Sequence, residues 1–286
     1  MNVLSLFDGM SCGRIALERA GIEVENYYSS EIDKWAIKVA DKNYPQDAKN
    51  RLGSIVDWDK WDIDWETIDL VIGGSPCQGF SNAGKKKGFD DPRSKLFYDY
   101  VDILNHIKSV NPNIKFLLEN IRMKQMDIDT ISRELNVQPE KINSKFFSAQ
   151  NRVRLYWFNW EMVDYTDKGV VLKDILPEGF EIYQRRNAEK PKKNQLKSQC
   201  LASGQGGDTS DADVVVFNSN SIVKTPYGRI SVKDNPNVRL YTAEECEKLQ
   251  TIPIGYTDNV SNLQRKKMLG NGWTVDVIAH IFGGLK

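Results

Sequence analysis

The sequence predicts an α/β protein with a doubly wound, mainly parallel, Rossmann-like sheet and a small second lobe. Three observations lead there. Short apolar runs alternate with helical patterns from Val3 to Trp160. The apolar runs are nearly continuous, as expected of strands buried on both faces. A polar stretch over 180–237, rich in Gly, Ser, Asn and Lys, then breaks the pattern.

Val3–Phe7 reads as the first strand and ends in Asp8-Gly9. Gly13–Ala20 reads as a helix stopped by Gly21, and Tyr27–Glu31 as the second strand. Lys34–Asn43 is the second helix, ended by Tyr44-Pro45 because the residue before a proline leaves the helical region. Ile68–Gly74 is a buried strand. Ser94–Val110 is the clearest helix, with Leu96, Phe97, Tyr100, Val101, Leu104 and Ile107 on one face. Lys115–Asn120 is another buried strand and Ile128–Leu135 a helix; Lys145–Phe147 and Val153–Trp160 read as strands. Val214–Phe217 is a short strand within the polar lobe. Thr242–Gln250 is a capped helix with Glu244 and Glu245 in its first turn, and Gly272–Phe282 holds the last helix.

Composition narrows the function. The chain has 286 residues, 40% hydrophobic and 27% charged, ordinary for a globular protein. Lys+Arg and Asp+Glu are both 39, so an anionic partner must be held by a local basic patch. No apolar run approaches the roughly 18 residues of a membrane span. The start, MNVLSLFDG, looks like a strand and lacks the cationic opening of a signal peptide. Cys12, Cys77, Cys200 and Cys246 are scattered, and His106 and His280 lie far apart. Neither a metal site nor a disulfide framework is expected.

Four places carry chemistry. The turn FDGMSCG (Phe7 to Gly13) lets a ligand approach the backbone and ends at a helix N-terminus. Glu31, at the end of the second strand, suits ribose hydroxyls. GxGxxG is absent, and the spacing fits S-adenosylmethionine at least as well as a dinucleotide. In VIGGSPCQGFS a buried strand runs into a tight turn bearing Cys77. Such a thiol is a core cysteine or a nucleophile; its polar neighbours and the basic stretch NAGKKKGFDDPRSK favour the second. Glu119-Asn120 ends a buried strand near the same cleft, as a salt-bridged carboxylate or an acid. Arg152 and Arg154 in QNRVR are two apart, so they are expected to share a face. Both are suited to phosphate or a base carbonyl, or simply to solvent.

In this order, FDGMSCG, Glu31, GGSPCQGFS, FLLENI, QNRVRLY, RLYTAEECEKLQTIP and LGNGWTV resemble the DNA (cytosine-5) methyltransferases. The resemblance covers nearly the whole chain outside the polar lobe. The ending GYTDNVSNLQRKKMLGNGWTVDVIAHIF is most similar to the animal de novo type and its phage and bacterial relatives.

The resemblance implies the Rossmann-like sheet of S-adenosylmethionine-dependent methyltransferases. It implies a catalytic domain of residues 1–178 and 238–286 and a target-recognition lobe of 179–237. Cys77 would add to C6 of a flipped-out cytosine. Glu119 would donate to N3, for which it must carry or share a proton, and Arg152 and Arg154 would hold O2. For S-adenosylmethionine, leaving as S-adenosylhomocysteine, it implies Phe7, Gly9, Met10 and Gly13 around the methionine moiety and Glu31 on the ribose. Ile32 would lie on adenine, and Pro76 and Leu96 would line the pocket. Asn271 and Trp273 would close it. Where the family usually carries an aspartate for the adenine amino group, LGSIVDW places Ser54, followed by Ile55.

Double-stranded DNA is the expected partner, with no metal and no membrane. Gln78, Ser81, Lys85, Lys86 and Lys87 of a closing loop would meet it, as would Arg185, Arg186, Lys197, Ser203 and Gln205 of the lobe. The bacterial and phage relatives imply a cytoplasmic protein, associated with the nucleoid through DNA, in the setting of restriction-modification. A catalytically inactive DNA-binding homologue and a tRNA cytosine-5 methyltransferase are the alternatives.

Overall fold

The apolar runs become a seven-stranded sheet in the order β3-β2-β1-β4-β5-β7-β6. The structure, a computed structural model, describes residues 1–76, 96–184, 196–201, 213–223, 230–232 and 235–286. β1 (Asn2–Leu6), β2 (Asn26–Ser30), β3 (Arg51–Gly53), β4 (Leu70–Gly73) and β5 (Lys115–Ile121) run parallel. β6 (Glu140–Asn143) and β7 (Val153–Phe158) form an antiparallel hairpin whose second strand pairs with β5. The mainly parallel sheet is therefore as expected, with an antiparallel edge. Lys145 and Phe146 belong to a 3-10 turn, Ser144–Phe146, Phe147 follows in the loop, and the strand lies just before the turn. The aromatic pair suggested a strand, but the chain there is already turning into the hairpin loop.

The helices follow from local chemistry. α1 (Cys12–Arg19) and α2 (Lys34–Asn43) succeed β1 and β2, and Asp33 Oδ1 caps α2 by accepting from Trp35 N–H at 2.9 Å. α3 (Leu96–Val110) buries Phe97, Tyr100, Val101, Ile103, Leu104 and Ile107, the apolar stripe legible in the sequence. Each such side chain contributes roughly 1.5–3 kcal/mol of burial. α4 (Gln125–Leu135) ends at Asn136, which takes the left-handed conformation, φ 57°. Together with β1, β4, β5 and β7, these side chains form one core around Leu4, Val71, Phe116, Leu118 and Trp157. His106 packs among Trp58 and Trp65, with ring centroids 5.5 and 4.9 Å away, so its place is structural.

Gly73 ends β4 under a close approach. A Cβ there would lie 2.9 Å from Leu6 O and 3.1 Å from Tyr100 Cε2, so a side chain would force β4 off β1. Tyr100 itself is wholly buried, and its hydroxyl has no hydrogen-bond partner among the described residues. An unsatisfied buried hydroxyl costs stability, so Tyr100→Phe is expected to gain about 1 kcal/mol. A raised urea midpoint with an unchanged slope checks this.

The chain divides into two compact units. The first comprises Met1–Asn143, Val153–Asp164 and Ile278–Lys286, and holds the seven-stranded sheet. The second comprises Ser144–Arg152 and Tyr165–Val277. It contains the antiparallel sheet β10-β9-β8, from β8 (Glu181–Gln184), β9 (Asp213–Val216) and β10 (Val238–Arg239), over a small core of Tyr183, Val214, Val216, Ile230 and Val238. α5 (Ala243–Leu249) starts at Thr242 with a capping box to Glu245. α6 (Asn262–Asn271), unexpected from the sequence, starts at Ser261. α7 (Val275–Phe282) closes the chain. No described helix is long and apolar enough to cross a membrane.

Candidate active site

The strand order reverses between β1 and β4: β2 and β3 continue on one side, β5 on the other. In open α/β sheets ligands bind outside the carboxyl ends of the strands at such a point. Two turns leave from it, 7–11 after β1 and 74–76 after β4.

The first turn is strongly bent. Phe7, Gly9 and Ser11 all have left-handed backbones, at φ 58°, 62° and 62°. Asp8 sits inside the bend, 8% exposed. Its Oδ1 accepts from Ser5 Oγ at 2.7 Å and Tyr27 Oη at 2.6 Å, and its Oδ2 from Ser11 Oγ at 2.6 Å. Burial pushes its pKa above the usual carboxylate value, against those hydrogen bonds. On the other side of the turn Gly9 N–H donates to Glu31 Oε2 at 2.7 Å. Glu31 Oε1 accepts from Ile32 N–H and Asp33 N–H, both at 2.7 Å. A carboxylate has about four acceptor positions, so capacity for a further hydroxyl remains at Oε2.

Around this carboxylate the surface suits a ligand with a sugar and a flat apolar ring. Ile32 is 76% exposed, unusual for an isoleucine, and Val56 is also exposed. No described residue lies within 4 Å of where a Gly9 Cβ would be, so the space beside the turn is open among the described residues. Ser54 precedes a 3-10 turn, Ile55–Lys60, and its hydroxyl makes no capping bond. Ile55 and Met10, by contrast, are buried, at 5% and 2% exposure, so only their backbones could meet a ligand. Gly13 is buried in the first turn of α1. Phe7 and Leu96 are half-buried against the main core.

The second turn is tied to β5. β4 pairs with β5 only as far as Gly73–Leu118, while β5 continues along β7 through Glu119–Tyr156 to Ile121–Arg154. β5 thus outruns β4, leaving Glu119 and Asn120 beyond its end. Asn120 Nδ2 reaches back to Ser75 Oγ at 3.1 Å, and its Oδ1 accepts from Ile121 N–H at 2.8 Å. Half-exposed Pro76 follows. Glu119, 9% exposed, is paired with Arg154, whose Nε lies 3.0 Å from Oε1. This brings together Glu119 and Arg154, in the salt bridge that the sequence left open, next to the segment entering Cys77.

Arg152 does not share that face. β7 begins at Val153, so the alternation of a strand does not extend to it. Its side chain is 3% exposed. Nη1 donates to Leu201 O at 3.0 Å and contacts Cys200 Sγ at 3.2 Å; Nη2 donates to Gly270 O and Gly272 O at 3.1 and 2.9 Å. Within the second unit it is a clamp on the carbonyl end of α6, where a cation is favoured. Gln250 Nε2 takes the adjacent Leu269 O at 2.6 Å, and buried Gln150 bonds Leu249 O and Leu201 N–H. Asn271, exposed, and Trp273, half-buried, flank the clamped turn.

Lys197, too, is turned toward backbone. Its ammonium donates to the carbonyls of Lys145, Ser148 and Val170. A lysine has three donors, so none is left for a phosphate; burial also lowers its pKa.

Cys77, Gln78, Ser81, Lys85, Lys86, Lys87, Arg185, Arg186, Ser203 and Gln205 lie outside the described residues. Among the described cysteines Cys12 and Cys246 are buried, and burial pushes the Cys246 thiol up to about 12. Among the described residues no group of three or more His, Cys, Asp or Glu could hold a metal ion. The roles of Asp8, Ser11, Tyr27 and Gln250 are not legible in the sequence. Only Asp8 was signalled, as a charge ending an apolar strand.

Comparison with known proteins agrees with this geometry. The model of the C-5 cytosine-specific DNA methylases matches residues 1–159. The chain is 29% identical to the type II methyltransferase M1.ScrFI of Lactococcus lactis subsp. cremoris, over 96% of this chain and 75% of that protein. It is 37% identical to the orphan methyltransferase M.Rho11sI of Bacillus phage rho11s, over 54% of this chain but 32% of the phage protein. The S. pombe Dnmt2 methyltransferase shares the fold, with TM-score 0.67 at 16% identity, covering 99% of this chain and 97% of that one. The family match spans more than half of the chain, which belongs to the C-5 cytosine-specific DNA methylases and is a DNA cytosine-5 methyltransferase.

Proposed function

We propose that this enzyme methylates C5 of a cytosine flipped out of double-stranded DNA, through a covalent bond from Cys77 to C6. The observation that carries the proposal is the Glu119–Arg154 pair at 3.0 Å, beyond the end of β4, where Asn120 holds Ser75 just before the nucleophile. Cytosine C5 is a weak nucleophile. Addition of the Cys77 thiolate at C6 makes C5 enamine-like, while the Glu119 carboxyl shares a proton with N3 as charge develops there. Arg154 orients Glu119 and offers donors to O2. Once C5 carries the methyl group, a base removes the C5 proton, the C5–C6 double bond re-forms and Cys77 leaves as its thiolate. Extruding the base costs a few kcal/mol.

S-adenosylmethionine, when bound, supplies an electrophilic methyl group on a sulfonium. Phe7, Gly9 and Gly13 would border its methionine moiety, Glu31 Oε2 would take a ribose hydroxyl, and Ile32 would cover the adenine. Pro76 and Leu96 would line the pocket. Ser54 would accept from the adenine amino group without the charge of an aspartate. Ser54→Asp is therefore expected to tighten cofactor binding about tenfold, the difference between neutral and charge-assisted hydrogen bonds. Titrating S-adenosylhomocysteine into both proteins measures this, and equal affinities would sink the idea.

Residues 179–237 serve, in this proposal, as the target-recognition lobe, with Arg185, Arg186, Ser203 and Gln205 toward DNA. Lys85, Lys86 and Lys87 would meet phosphates. Arg152 and Lys197 act by holding backbone in place. Tritiated cofactor offered with duplex DNA and with tRNA tests the whole. Label in DNA is expected; label only in tRNA, or none, overturns it.

A further inference from the structure

We propose that Asp8 is a positioning residue for the cofactor site: its buried carboxylate gathers three hydroxyls and so fixes the Phe7–Ser11 turn that faces the cofactor. This rests on the cofactor assignment above. Left-handed backbone at two non-glycine residues, Phe7 and Ser11, costs of order 1–3 kcal/mol each and persists only where surroundings hold it.

Asp8 is what holds it. The carboxylate takes hydroxyls from the strand before the turn (Ser5), the neighbouring strand (Tyr27) and the helix entry (Ser11). Its backbone N–H donates to Ser30 O at 3.1 Å, and its carbonyl accepts from Ser11 N–H at 3.2 Å. The turn is thereby fixed to β1, β2 and α1 at once. The next residue, Gly9, donates its N–H to Glu31, so the position of the ribose-binding carboxylate depends on the same bend.

The arrangement opposes stability. Charged groups are rarely buried without an ionic partner, and those facing Asp8 are Ser5, Ser11, Tyr27 and the like-charged Glu31. Desolvation raises its pKa, which marks the carboxylate as costly to keep there. What the turn needs from position 8 is a side chain that meets all three hydroxyls.

The test uses the full chain with S-adenosylhomocysteine as the calorimetric probe and a DNA duplex as the second ligand. Asp8→Ala is expected to weaken binding of the probe more than about tenfold, and Tyr27→Phe, which removes one donor, roughly threefold to tenfold. Asp8→Asn recovers most of the loss, because the amide oxygen accepts from Ser5 and Tyr27 and its nitrogen donates to Ser11. DNA affinity without cofactor stays unchanged in every variant, which a general packing defect would not allow. Should Asp8→Ala fail to fold, Tyr27→Phe decides. Unchanged probe affinity in the variants, or parallel loss of probe and DNA binding, overturns the proposal. A wild-type chain that binds no probe overturns the cofactor assignment instead.

Discussion

Cys77→Ser is expected to reduce methyl transfer to background, a loss of roughly four orders of magnitude or more, as when a catalytic nucleophile is removed elsewhere. Serine keeps the shape of the side chain and loses the thiolate, since a hydroxyl is scarcely ionised near neutral pH. Binding of DNA and of S-adenosylhomocysteine should survive, because neither needs the nucleophile. The variant should also fail to form a covalent adduct with DNA carrying 5-fluorocytosine, from which the wild-type enzyme cannot eliminate. Retained transfer, or retained trapping, would mean that another group attacks C6. Cys77 itself lies outside the described residues, but its approach does not: Ser75 is held by Asn120, and Asn120 follows the acid Glu119.

The second large effect concerns that acid. Glu119→Gln is expected to lower kcat by about 10²–10⁴-fold, the range for losing a general acid. An amide can still hydrogen-bond N3 but cannot deliver a proton. Arg154→Ala should act differently. It removes the guanidinium whose Nε lies 3.0 Å from Glu119 Oε1, and breaking a buried pair costs about 3–5 kcal/mol. Chemical denaturation should therefore show Arg154→Ala much less stable than Glu119→Gln, while both are poor enzymes. Equal stability of the two, or full activity in Glu119→Gln, would remove the pair from the centre of the account.

The sheet was largely legible because its strands are buried on both faces and read as plain apolar runs. β1, β4 and β5 were found to within two residues or so for this reason. β6 was missed because Glu140 and Lys141 are exposed and give no apolar run. α6 was missed for the same kind of reason: its buried set includes Arg265, satisfied by Glu247, so polarity hid a packed helix.

The site divides along similar lines. Glu31 and Glu119 could be picked out because a carboxylate at the end of an apolar strand is conspicuous. Arg152 and Lys197 looked like ligand-binding cations because charge in a sequence carries no record of what it faces. Both face backbone carbonyls. Asp8 was visible as a residue, but its three hydroxyl donors come from Ser5, Ser11 and Tyr27, and only folding brings Tyr27 to it.

Bisulfite sequencing of DNA from cells expressing the chain tests the central claim most directly. The account predicts cytosines that resist conversion, confined to one short sequence context, in cells with the wild-type chain and not in cells with Cys77→Ser. Complete conversion in both, with the wild-type protein present and folded, would contradict it.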